Sequence, residues 1–297
     1  MTGPTPTLLT SLLERCTFPT DGRPVTCGLS GGPDSTALAA LAAAAGCEVT
    51  AIHVDHGLRA DTDVDAELAR RSATSLGVAF RLVRVDVGAG PNLEARARAA
   101  RRHVLGDDAM TGHTADDQAE TLLLALLRGS GATGLAAIRP GPHHPLLGLR
   151  AAETRALCRE LGLPVADDPT NRDPRFRRNR IRHELLPLLD DIAARDVAPL
   201  LDRTASLLRD DDELLEQLSA SVDPTDVDQL LSAPRPLAAR AVRRWLTVDG
   251  YPPDAAALAR VMDVAAGRAS GCEVPGGVRV ERRGGRLARF PGGATTG

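Results

Sequence analysis

The chain contains no lysine; all 36 of its basic residues are arginines. A phosphate loop of the G-x-x-x-x-G-K-[ST] kind, whose lysine reaches the β and γ phosphates, is therefore excluded. Aromatic residues are only 2% of the composition, so stacking of nucleic-acid bases on rings cannot be a major mode of binding. The cysteines (Cys16, Cys27, Cys47, Cys158, Cys272) are odd in number and never form a C-x-x-C pair. That argues against both a disulfide framework and a zinc site. No apolar run approaches the roughly 20 residues that span a bilayer. Met1 to Thr10 carries no basic segment or cleavage pattern. A cytoplasmic protein with no membrane partner is expected. A net charge of −3 speaks against indiscriminate nucleic-acid binding but leaves room for a local basic patch.

What is present begins with length: 297 residues, 43% apolar and 25% charged, allow one large and one small domain. The most informative stretch is Ser30-Gly31-Gly32-Pro33-Asp34-Ser35. It follows an apolar run from Pro24 to Leu29 that reads as a buried strand, and precedes an alanine-rich helical segment from Thr36 to Ala45. Strand, glycine turn and helix start form a context in which backbone N–H groups wrap an anion. The hydroxyls of Ser30 and Ser35 add donors. A carboxylate at Asp34 would repel phosphate unless a divalent cation lies between them, which makes Asp34 the candidate metal ligand. The plain alternative is an ordinary turn with Asp34 or Ser35 as helix N-cap.

The flanking pattern predicts an amphipathic helix over 5–16 and strands over 48–54, 79–87 and 108–111. Helices are expected over 61–76, from a cap at Asn92 to Leu105, and over 115–127. Alternation of this kind predicts an α/β fold with a doubly wound parallel sheet, ligands binding at the carboxyl ends of its strands. Three polar runs fall at those ends: Ser30–Ser35, His53–Arg59 and Gly112–Glu120. His113 is either structural or in contact with nucleotide, and His53 sits within its strand. Asp117 and Glu120, three apart, share a helix face that suits magnesium or an amine, or that merely complements the helix dipole.

Residues 172–182 hold six arginines and one acid. Arg178, Arg180 and Arg182 alternate, so in an extended segment they would share a side and meet phosphate, either of a nucleic acid or of ATP. From Val197 a leucine stripe to residue 218 predicts a long connecting helix, followed by short helices over 226–231, 237–246 and 254–266. Cys272 to Phe290 reads as a hairpin bearing a second basic group that includes Arg282 and Arg283. The expected layout is a catalytic domain over 1–196, a connecting helix over 197–220 and a smaller, mainly helical domain over 221–297.

Ser30–Ser35 resembles the SGGxDS pyrophosphate loop of the N-type ATP pyrophosphatases. Together with Ile52–Arg59, Gly112–Thr121, Leu127–Gly131, Pro145–Leu147, Asp168–Asn171, Arg178–Arg182 and Leu186–Pro187, the chain resembles the tRNA(Ile)-lysidine synthetase family over residues 24–190. Thr114 stands where many members have a second histidine, and Thr170 replaces a usual serine. The resemblance implies a ligase that adenylates the wobble cytosine of an isoleucine tRNA with a CAU anticodon and then attaches free L-lysine, using ATP and Mg2+. It implies ATP binding by Ser30, Gly31, Gly32, Pro33, Asp34, Ser35, His53 and His113, with Asp34, Asp117 and Arg180 catalytic. Lysine would be gripped by Asp117 and Glu120, and tRNA by Arg178, Asn179, Arg180, Arg182, Arg282 and Arg283. The segment after 221 resembles the family's small substrate-binding domain, and a short form without a further C-terminal domain is expected.

Overall fold

The structure is a computed structural model describing residues 7–19, 22–57, 62–86, 88, 93–166, 169–247 and 252–291. Leu58, Arg59, Asn92 and Asp168, cited above, lie outside the described residues. The chain divides into two compact units, Met1–Ser206 and Leu207–Gly297.

In the first unit, α1 (Leu8–Leu13) precedes β1 (Pro24–Gly28), α2 (Pro33–Ala44), β2 (Glu48–Asp55), α3 (Thr62–Ser75) and β3 (Ala79–Arg84). The strands pair in parallel in the order β1-β2-β3, with Val25 opposite Val49 and Val54 opposite Val83. In β2 the side chains of Val49, Ala51, Ile52, His53 and Asp55 are all buried. Consecutive burial of this kind belongs to a strand covered on both faces. The helix α2 is buried all round from Ser35 to Ala42, which its small alanines permit. Leu12, Leu38, Leu41, Leu146, Leu149 and Leu157 build the core around it.

The expected strand at 108–111 is reduced to one bridge, Met110 beside Cys27. The Met110 N–H donates to the Thr26 carbonyl (2.8 Å) and the Gly28 N–H to Met110 (3.0 Å). The ladder ends there because the Thr111 N–H turns away to the His143 carbonyl, 2.9 Å. Met110 still fixes the chain beside β1, so Gly112 and His113 arrive next to the phosphate loop.

The unit continues through α4 (Leu93–Leu105), α5 (Ala115–Leu127), α6 (Ala132–Leu135), α7 (Ala151–Glu160), α8 (Arg177–Arg180) and α9 (Leu186–Ala193). A π-helical turn, Ile181–Leu185, joins α8 to α9. Helix α10 (Ala198–Ser219) contains the division between the units.

The second unit holds α11 (Val227–Ser232), α12 (Arg235–Leu246), α13 (Ala255–Ala265) and the antiparallel strands β4 (Gly271–Val274), β5 (Val278–Arg283) and β6 (Arg286–Pro291). The expected hairpin is thus a three-stranded meander. Gly284 and Gly285, at φ 54° and 77°, form the two-residue turn that returns β5 into β6. Val227, Val242, Val261, Val264 and Val280 are fully buried and give this unit its own core.

Candidate active site

The phosphate loop leaves β1 where the Leu29 N–H bonds the Ile52 carbonyl, 2.9 Å. Gly31 adopts φ +91°, and a Cβ there would sit 3.2 Å from the Asp65 carbonyl oxygen, so the position requires glycine. Gly32, not Asp34 or Ser35, is the N-cap of α2; it offers no side chain, and Pro33 follows as a residue with no N–H to be paired. The first-turn N–H groups of Asp34 and Ser35 are therefore left without a side-chain cap, which suits an incoming anion. The Ser30 and Ser35 hydroxyls lie 3.0 Å apart, and Ser35 Oγ also accepts from the Ser30 N–H (3.1 Å). Gly112 is pressed against the loop: a Cβ there would fall 2.6 Å from the Asp34 carbonyl oxygen.

The Asp34 carboxylate turns inward. Burial pushes it up to about 6, against the hydrogen bond that the Thr154 hydroxyl of α7 donates to it at 2.5 Å. A carboxylate held at such a cost is stabilised by a cation. Among the described residues no three His, Cys, Asp or Glu side chains come together as a metal cage. A divalent ion here would rest on Asp34 and phosphate oxygens, a donor set that fits magnesium.

On α5, Asp117 and Glu120 do share a face, and arginines already hold them. Asp117 Oδ2 caps its own helix by accepting from the Thr114 N–H (2.9 Å), while Oδ1 accepts from Arg178 Nη2 (3.0 Å). The Glu120 side chain is 0% exposed, with Arg178 Nε 2.6 Å from one oxygen and Arg182 Nε 2.5 Å from the other. Burial works against the charge on Arg182, but the Glu120 hydrogen bond and the nearby carboxylates outweigh it and raise its pKa. The extended reading of residues 178–182 is corrected here: the segment is α-helical to Arg180 and π-helical beyond it. Arg178 and Arg182 consequently fall one turn apart on the face toward α5, whereas Arg180 points elsewhere, pairs with Glu184 at 2.7 Å and is 61% exposed.

A cavity of about 430 Å³ opens beside the loop, lined by Ser30, Asp34, Ser35, His53, His113 and Asp117 among others. A second one of about 610 Å³ shares Arg101, Leu105, Thr111 and His113 with it. The His53 ring is fixed by its Nδ1 contact to the Leu29 carbonyl, 2.8 Å. His113 Nδ1 lies 2.7 Å from the Thr111 hydroxyl, and burial pushes its pKa down to about 4, so the ring is neutral at pH 7. Asn179 spends its amide on the Thr170 and Asp173 carbonyls (2.7 and 2.9 Å). In the second unit Arg282 donates to the Ala265 carbonyl (2.8 Å), and Arg283 pairs with Glu281 (2.8 Å) and covers the Phe290 ring. Sequence reasoning missed Thr154 and Arg101. The only trace of Thr154 is a hydroxyl on the apolar side of α7, and Arg101 is one of several arginines on α4.

Parallel strands, the uncapped glycine loop and an inward Asp34 define an ATP pyrophosphatase of the PP-loop class. A family profile described as a PP-loop domain matches residues 7–189, and one described as the TilS substrate binding domain matches residues 226–288. The tRNA(Ile)-lysidine synthase of Nocardia farcinica is 46% identical over 242 residues, 76% of each chain. That of Cutibacterium acnes is 41% identical over 282 residues, 88% of this chain and 89% of that one. The chain belongs to the tRNA(Ile)-lysidine synthase family. Among solved structures, the U34-tRNA thiolase NcsA from Methanococcus maripaludis superposes with a TM-score of 0.50 at 17% identity. It covers 68% of this chain and 77% of that one, a likeness of fold.

Proposed function

We propose that this protein uses ATP to join free L-lysine to the wobble cytidine of an isoleucine tRNA with a CAU anticodon, giving lysidine. The observation that carries the proposal is the placement of an uncapped phosphate loop and the half-buried Asp34 and Asp117 around one cavity. In the first step the cytosine carbonyl oxygen attacks the α-phosphate of ATP, the bond to the β-phosphate breaks, and pyrophosphate leaves. The N–H groups of Asp34 and Ser35 and the hydroxyls of Ser30 and Ser35 take up the charge that develops on the pyrophosphate. A magnesium ion on Asp34 would supply further neutralisation of that charge. In the second step the lysine ε-amine attacks the activated cytosine carbon and AMP leaves.

Asp117 and Glu120 are the groups we assign to the lysine ammonium; to act so, they must take back oxygens now held by Arg178 and Arg182. Those two arginines are then freed for phosphate. The exposed Arg180 meets RNA or the α-phosphate, with Asn179 holding its segment. His53 and His113 border the nucleotide. In this scheme residues 1–196 perform the chemistry, 197–220 connect, and 221–297 hold tRNA.

A thiolase is the competing reading, and the cysteines disfavour it. None lines either cavity beside the loop, and burial pushes Cys27 up to about 12 and Cys158 to about 11, far from a reactive thiolate. Incubation with labelled lysine, ATP and tRNA transcripts should place label on the isoleucine transcript and release AMP and pyrophosphate. Label on no transcript, with ATP hydrolysed regardless of tRNA, would refute the ligase.

A further inference from the structure

The first unit carries another concavity, of about 540 Å³, which shares no lining residue with those beside the loop. It touches the phosphate loop only at Pro33. Arg155 and Arg159, one turn apart on α7, form one wall, and Arg172, Arg182 and His183 line it further. No acidic side chain lines it among the described residues. Arg182 is spoken for by Glu120; Arg155 and Arg159 make no hydrogen bond or close ion pair among the described residues, although the charge of Arg155 reaches Asp34.

With a net charge of −3 the chain has acids to spare, and it pairs Arg15, Arg150 and Arg240 with them. Guanidinium groups gathered around a hollow repel one another, and an anion collecting there relieves that repulsion. We propose that this hollow is a phosphate anchor for the RNA substrate, with Arg155 and Arg159 as its principal contacts. The inference rests on the tRNA ligase reading given above. A free nucleotide is a poorer fit, because among the described residues no Phe, Tyr or Trp lines the hollow to stack a base. Charge without a stacking surface matches what a phosphodiester backbone asks for: position without sequence. Arg155 and Arg159 are both exposed, which leaves them accessible to a partner as large as RNA.

The test compares the full-length wild type with the double variant Arg155→Gln/Arg159→Gln. Binding of a tRNA transcript is followed by fluorescence anisotropy between about 50 and 200 mM salt, the range over which phosphate contacts are most visible. The variant should bind roughly tenfold more weakly at the lower salt, with a log–log slope shallower by about 1.5, somewhat under one per contact. Arg155→Lys/Arg159→Lys, which keeps both charges, should recover most of the affinity and the slope; it also guards against loss through misfolding. Equal affinity and slope in the wild type and the Gln variant would overturn the anchor while leaving the ligase reading intact. A variant that loses affinity for inorganic pyrophosphate but not for tRNA would assign the hollow to the leaving group, which also overturns it. A wild type that binds no tRNA at any salt would instead sink the ligase reading on which the anchor depends.

Discussion

At the scale of single residues, Asp34 stands out in the sequence because a carboxylate inside an anion loop contradicts its surroundings unless a cation joins it. Burial pushes its pKa up to about 6, while the Thr154 hydrogen bond and the charges of Arg155 and Arg182 favour the ionised form. Asp34→Asn removes the charge with almost no change in volume. We expect AMP formation to fall at least tenfold, equivalent to about 1.4 kcal/mol in the barrier, with the thermal midpoint preserved; near-normal AMP release would remove Asp34 from the metal site. Thr154 was not legible, since one hydroxyl among the alanines and leucines of a helix has no pattern to betray it. His113 sits between these cases. Its position after the bridge at Met110 was readable, but its protonation follows from burial, which only the fold supplies. With a folded pKa near 4 against about 6.5 unfolded, the unfolded chain binds more protons between those values, and stability therefore rises with pH across that window. Relative to His113→Asn, the wild type should lose stability as pH falls from 6.5 toward 4 and show no further difference above 6.5. Chemical denaturation of both proteins at several pH values measures this, and a constant difference would show that the ring stays solvated.

At the scale of elements, the sheet and most helices followed from apolar periodicity, whereas the segment around Arg178 did not. Between residues 172 and 182 Ile181 is the only buried side chain, so the sequence carries no apolar period that could tell an extended run from a helix. Alternation of arginines then suggested a shared side for Arg178, Arg180 and Arg182, and the helical turn instead brings Arg178 and Arg182 to Glu120. The short strand at 108–111 failed for a related reason, as its Thr111 is recruited by His143, a partner far along the chain. The helical arrangement separates two substitutions that an extended one would treat alike. Arg178→Ala strips one guanidinium from a fully buried carboxylate, a change that costs roughly 3 kcal/mol or more. Arg180→Ala breaks only a solvent-exposed i,i+4 pair, which contributes little. Urea midpoints should therefore fall clearly for the first and hardly move for the second. Equal loss in both would mean that Arg178 is not anchored to Glu120 in solution.

At the scale of the whole molecule, the sequence changes character after residue 197, and the structure has a compact unit, Leu207–Gly297, with a core of its own. The division itself falls inside α10, which the leucine stripe could not reveal: a continuous helical period has no mark at the point where its partners change. The basic group of the second unit was also visible, but its engagement was not. Arg279 is paired with Glu273 and Glu281, Arg286 with Asp223, and Arg289 donates to the Trp245 carbonyl. These arginines stabilise the meander and α12, so a count of basic residues overstates what is left for tRNA. Arg282 and Arg283 differ in this respect. Arg282 donates to the Ala265 carbonyl at the end of α13, where a helix leaves carbonyls unpaired. Arg283 makes a surface pair with Glu281 and lies over Phe290, 4.2 Å from the ring centroid, ties that are individually weak. Arg282→Ala should thus lower the thermal midpoint, and any loss of tRNA affinity in it is ambiguous. Arg283→Ala should leave the midpoint nearly unchanged, so weaker tRNA binding in that variant reports contact with RNA. A phosphate contact predicts a log–log salt slope lower by somewhat under one. Weaker binding at an unchanged slope would indicate a contact with sugar or base instead, and unchanged binding would leave Arg283 as the partner of Glu281 and Phe290 alone.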